Sequence, residues 1–158
     1  MNVEAAIQAL VDAGVEFVIV GGWSAVLNGS MQSTSDLDIC VARNSENLRR
    51  LARVLAPVHP CLRDLPAGLP LVLDETTLQN GRVIRLDTDL GEIGLLAEIA
   101  GLGTFEEIAP GSVATEALGR LVRTLNLKSL IKAKRAAGRE RDLLELSELE
   151  RLLEAEEP

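Results

Sequence analysis

The chain has 158 residues, 47% of them apolar and 25% charged, with a formal net charge of −8. That length and apolar content suit a globular protein with a real core. The acidic surplus argues against binding nucleic acid or an anionic membrane over the whole surface. No 18-residue apolar run and no basic-then-apolar leader is present, so neither a membrane span nor a signal peptide is expected. Cys40 and Cys61 lack metal spacing, and a reduced, cytoplasmic setting is the expectation.

In chain order, Val3, Ala6, Ile7, Leu10 and Val11 fall at helical spacing, and Gly14 supplies a stop. Val15 to Val20 predicts a first strand ending in Gly21-Gly22, with a short helix over Trp23 to Leu27. Asn28 to Ser35 is a polar connection to a second strand that opens with Asp36-Leu37-Asp38. Ser45 to Leu55 reads as an amphipathic helix with Leu48, Leu51, Ala52 and Leu55 inward. Residues 57 to 70 hold four of the six prolines and read as irregular, and His59 within them takes no role. Leu69 to Leu73 predicts an edge strand, because Pro70 cannot donate to a central ladder.

Asp74 to Gln79 reads as a turn or short helix, and Arg82 to Leu86 and Glu92 to Leu96 read as strands. Thr104 is placed to cap a short helix. Val113 to Leu118 and Arg120 to Thr124, around Gly119, form a hairpin at the sheet edge. Asn126 to Ala137 is a helix between an Asn cap and Gly138. Lys134 lies within about 40° of Leu127 and Leu130 on its apolar stripe, so the ammonium must snorkel or reach a cleft. Leu143 to Leu153 gives a last amphipathic helix, with Glu154 to Pro158 fraying. No repeat or linker divides the chain, so residues 1–158 are expected to form one domain, with a core over about 1–124 and C-terminal helices over about 126–155.

The chemistry concentrates between Val18 and Val41. Side chains two apart in a strand share a face, so Asp36 and Asp38 look out together while Leu37, Ile39 and Val41 look inward. Two carboxylates on one face are costly unless a cation sits between them. A hard divalent ion that also binds substrate phosphates is the natural candidate. Gly21 and Gly22 let backbone approach a phosphate, and the helix start beyond them, with the Ser24 hydroxyl, completes a cradle.

An apolar strand, Gly21-Gly22, roughly a dozen residues and Asp36-Leu37-Asp38-Ile39 together resemble the nucleotidyltransferase superfamily, which has the DNA-polymerase-β-like fold. Within it the chain is most similar to a small bacterial group related to abortive-infection toxin nucleotidyltransferases, from about Phe17 to about Leu153. The resemblance implies an α+β fold: a mixed β-sheet core, flanking helices and a C-terminal helical pair. It implies Mg²⁺-dependent transfer (Mn²⁺ being able to substitute) of a nucleoside monophosphate from an NTP to a hydroxyl on RNA, protein or a small molecule. Asp36 and Asp38 would be the metal ligands, Gly21, Gly22, Ser24 and Thr34 would border the triphosphate, and Lys134 would offset its charge. Arg139 and Asp142 would position Lys134. The resemblance also implies a protein partner encoded nearby, in a toxin–antitoxin or phage-defence pair.

Two positions depart from that pattern. The family's phosphate-binding Arg is Gln32 here, which removes a fixed charge and a bidentate donor. The third acid, which takes the proton from the attacking hydroxyl, is Gly94. Two-metal transfer needs enough anionic oxygen to hold ions about 3.5–4 Å apart. Glu92, two positions earlier on the same strand face, would have to lean across about 6–7 Å to act as base. The alternative is a catalytically impaired module that binds nucleotide or a partner protein without turnover.

Overall fold

The structure is a computed structural model that describes residues 2–66, 69 and 71–156. In chain order the elements are α1 (Val3–Asp12), β1 (Phe17–Val20), α2 (Gly21–Leu27), β2 (Asp36–Val41), α3 (Ser45–Leu55), β3 (Cys61–Leu62), α4 (Glu75–Asn80) and β4 (Val83–Thr88). They continue with β5 (Gly91–Leu96), β6 (Glu98–Ile99), β7 (Gly103–Thr104), α5 (Phe105–Ile108), β8 (Val113–Ala117), β9 (Arg120–Thr124), α6 (Leu127–Ala137) and α7 (Glu140–Glu156).

Seven strands make one mixed sheet in the order β3-β4-β5-β2-β1-β9-β8, with β6 and β7 as a separate ribbon. β2 lies at its centre, antiparallel to β1 and parallel to β5. Alternation along β2 divides the interior. Leu37, Ile39 and Val41 join α1, α3 and α4 on one face, through Ile7, Leu10, Leu51 and Leu78. Cys40 joins Val18 and Val20 on the other, under Leu127, Leu130 and Ile131 of α6 and Leu149 of α7. Asp36 and Asp38 share that second face, and register sets Glu92 beside Asp36 and Gly94 beside Asp38.

Helix ends follow local chemistry. The side chains of Asn2, Asn44, Asp74 and Asn126 accept first-turn N–H groups, and Thr104 with Glu107 makes a capping box. Gly138 ends α6 in the left-handed region at φ 65°, where glycine has no Cβ penalty.

Two sequence expectations need correction. The edge strand is Cys61–Leu62, paired with Asp87 and Leu86, whereas Leu69 and Leu71 to Leu73 carry no ladder; Pro70 lies outside the described residues. Their alternation survives as packing, with Leu71 and Leu73 against the core and Val72 71% exposed. At the other end Glu154 to Glu156 are helical rather than frayed, while 157 and 158 lie outside the described residues. Among the described residues no helix is long and apolar enough to cross a membrane.

Candidate active site

The glycine turn and the paired acids meet because β1 and β2 are neighbours, with Val20 opposite Asp38. Gly21 follows directly at φ 64°, and a Cβ there would stand 3.0 Å from Asp38 Oδ2. A Cβ on Gly22 would overlap Thr34 Oγ1 and Cβ, so glycine lets the Thr34 side chain pack directly on the turn. Thr34 Oγ1 donates to the Asp36 carbonyl at 3.4 Å. Gly21→Ala is therefore expected to cost about 1–2 kcal/mol, from left-handed strain and pressure on Asp38. Urea denaturation checks it, and an unchanged midpoint would refute the close approach.

The two acids differ in surroundings. The Asp36 carboxyl is held below the ordinary carboxylate value, chiefly by its hydrogen bond with the Glu92 carboxyl group, against burial. The Ser35 hydroxyl and the charges of Arg63 and Arg85 add to this. Burial pushes the Asp38 carboxyl up, with Arg85 opposing and Asp36 reinforcing. Asp38 Oδ1 is buried with no hydrogen-bond partner among the described residues.

Two arginines that sequence reasoning did not single out stand here. Arg63, just past β3, pairs with Glu92, approaches Asp36 Oδ2 at 3.6 Å and reaches Asp87 at 4.0 Å. Arg85 sits opposite Gly94 in the β4–β5 register, its Nη1 4.0 Å from Asp38 Oδ1. Because Gly94 has no side chain, nothing screens that guanidinium from the acid.

Glu92 does not take up the missing acid's position. Its carboxylate is engaged by Arg63 and borders neither half of the cleft. Ser24 is also elsewhere. Helix α2 begins at Gly21, two residues earlier than the sequence pattern indicates, which carries Ser24 past the rim of free N–H groups. Its hydroxyl is fully buried, accepting from Thr124 Oγ1 at 2.7 Å and donating to the Leu125 carbonyl at 3.5 Å.

Lys134 reaches the site from α6. Its ammonium lies 2.5 Å from Glu145 Oε2 and 3.4 Å from Asp142 Oδ1, and Arg139 Nε donates to Asp142 Oδ2 at 2.6 Å. Burial acts to raise the Asp142 carboxyl, but the hydrogen bond and charge of Arg139, then the charge and hydrogen bond of Lys134, leave it below the ordinary value.

A cleft opens on both sides of Gly21, Asp38 and Lys134. One half, about 200 Å³, is polar and bordered by Gly22, Gln32, Thr34, Asp36, Arg139 and Arg141. The other, also about 200 Å³, is walled by Leu96, Ile99, Leu125, Leu130, Ala133 and Ala137, with Arg85 and Arg141 at its rim. Arg139 and Arg141 reach this half from the α6–α7 junction, across from Gln32.

The donor set fits one hard divalent ion. Asp38 Oδ1 lacks a partner, Asp36 lies on the same face, and Gly21 leaves space beside them. It does not fit a second: the neighbouring position is Gly94, faced by a guanidinium, and no group of three or more potential ligands clusters among the described residues.

No protein-family model matches the chain, and no curated protein matches it in sequence. Solved structures do share its fold. TM1012 from Thermotoga maritima, assigned as a nucleotidyltransferase, is 14% identical with a TM-score of 0.57, over 91% of this chain and 89% of that one. The lincosamide antibiotic adenylyltransferase LnuA, solved with lincomycin bound, is 12% identical with a TM-score of 0.62, over 96% of each chain. At such identities the likeness is one of architecture: the chain has the α+β fold of nucleotidyltransferases.

Proposed function

We propose that the cleft binds a nucleoside triphosphate with one magnesium ion and transfers its nucleoside monophosphate to an acceptor. The observation that carries this reading is the buried, unpartnered Asp38 Oδ1 beside Asp36 and across from Gly21. Asp36 and Asp38 would hold the ion. When bound, it would supply positive charge to the phosphates and polarise the one being transferred. Gly21, Gly22 and Thr34 border the triphosphate in this assignment, with Arg139 and Arg141 as its counter-charges. Lys134, shared by Asp142 and Glu145, fixes α7 against α6 at the cleft's edge and adds charge to it. Glu92 is given no part in proton transfer, because Arg63 holds it.

Gly94 faced by Arg85 favours a second reading, binding without turnover. A cytoplasmic setting rests on the cysteine usage alone, and a partner encoded nearby, RNA as acceptor and a toxin–antitoxin or defence role rest on the sequence resemblance alone.

The first test is thermal unfolding with each of the four NTPs, with and without Mg²⁺. A ligand at one hundred times its Kd stabilises by about 2.7 kcal/mol. For a chain of this size that corresponds to about 5–10 °C. The expected result is a Mg²⁺-dependent shift with at least one NTP; no shift with any would overturn the assignment. Pyrophosphate release then separates transfer from mere binding.

A further inference from the structure

The apolar half of the cleft has walls without an assigned occupant. All six residues named as its wall are aliphatic, and among the described residues no aromatic ring borders it to stack on a base. It opens onto Asp38 and Gly21, the point where the two halves join. Arg85 stands at that junction, and 4.0 Å from Asp38 is too far for a hydrogen bond, so its donors still face the cleft.

The acids around the cleft are already committed. Asp36 lies against Arg63, Asp142 and Glu145 hold Lys134, and Glu98 holds Arg82 at 2.5 Å. With Asp36 and Asp38 on the metal, each other carboxylate described at the cleft would have to leave a cationic partner to take a proton from a hydroxyl. A hydroxyl nucleophile needs such a base; an oxygen that is already anionic does not. An anion approaching a triphosphate is repelled, and a guanidinium at the junction offsets that repulsion.

We infer that the second substrate is an acid with an apolar body, whose carboxylate or phosphate oxygen is the nucleophile and whose charge is met by Arg85. This rests on the nucleotide-binding reading above and replaces the hydroxyl acceptor expected from sequence. The anionic oxygen forms a bond to the α-phosphorus. The bond from that phosphorus to the oxygen bridging to the β-phosphate breaks, and its electron pair leaves with pyrophosphate. No proton moves and nothing is oxidised or reduced. The product is a mixed anhydride of the acid and the nucleoside monophosphate.

Hexanoate, hexyl phosphate and 1-hexanol share an apolar chain and differ in the head group. Titration calorimetry of the full chain with each, without nucleotide, should show at least one acid binding about tenfold or more tighter than the alcohol. Which acid wins identifies the head group. Arg85→Gln should erase the preference and Arg85→Lys should restore part of it, while Ala133→Phe, which fills the cleft, should remove all three. Pyrophosphate release from Mg²⁺–NTP should rise with the preferred acid and not with hexanol. Equal binding of hexanol, binding indifferent to Arg85→Gln, or displacement of the acid by an α,β-methylene NTP with Mg²⁺ would overturn the inference. If the acid binds through Arg85 but no NTP binds, the nucleotide reading fails, and the acid site stands without its role as acceptor.

Discussion

Replacing Asp38 by asparagine is expected to raise the melting temperature of the ligand-free protein while abolishing its stabilisation by Mg²⁺–NTP. Only 24% of the Asp38 side chain is exposed, one of its oxygens lacks a partner, and Asp36 adds a like charge nearby. Burying an ion so poorly compensated costs free energy, and Arg85 at 4.0 Å returns only part of it. Asparagine keeps the shape and removes the charge, for a gain of about 1 kcal/mol or 2–4 °C. It is also a far weaker ligand for a hard ion. Losing several kcal/mol of transition-state charge stabilisation lowers turnover by about 100-fold or more. Calorimetric melting with and without Mg²⁺–NTP checks both halves. A less stable apo protein that retained its ligand shift would make Asp38 a structural residue and remove the metal assignment.

Lys134→Met is expected to act in the opposite way, destabilising the protein by about 3 kcal/mol, toward the lower end for a broken buried pair. The lysine side chain is 11% exposed and that of Asp142 3%, so little water is at hand to replace the ammonium. Arg139 still holds Asp142, which keeps the loss from being larger. Glu145→Gln should cost less, since Glu145 is 32% exposed. The effect depends on pH with a definite sign. The Asp142 carboxyl is depressed in the native protein below the ordinary aspartate value of 3.8. Its contribution to stability is therefore present above that unfolded value and is lost as pH falls through the native one. The gap between wild type and Lys134→Met should thus be widest at neutral pH and narrow in acid. Urea titrations at pH 7 and pH 3 measure it; a constant gap would show that the ion pair contributes nothing.

Much of this was readable from residues alone, where the cause is local. Helical spacing set α3 and α6, and Asn126 with Gly138 set the ends of α6. Two-residue periodicity put Asp36 and Asp38 on one face, and Gly21-Gly22 before them marked the turn. What escaped depends on pairing between distant segments. Nothing near Arg85 says that it will face Gly94, and nothing near Arg63 says that it will cross to Glu92. Ser24 misled because a two-residue change in where α2 starts turns its hydroxyl from the cleft to β9. The edge strand was misplaced because Leu71 and Leu73 alternate like a strand and pack without a partner.

The adjacency of β1 and β9 has a kinetic consequence. Ile19 pairs with Thr124, so the strand that ends in the glycine turn waits for residues more than a hundred positions away before its second side is covered. Closing so long a loop is entropically slow and gains little until the partner docks. Refolding should therefore show the β1–β2 pair forming well before the cleft, with ligand affinity recovered only in the slowest phase.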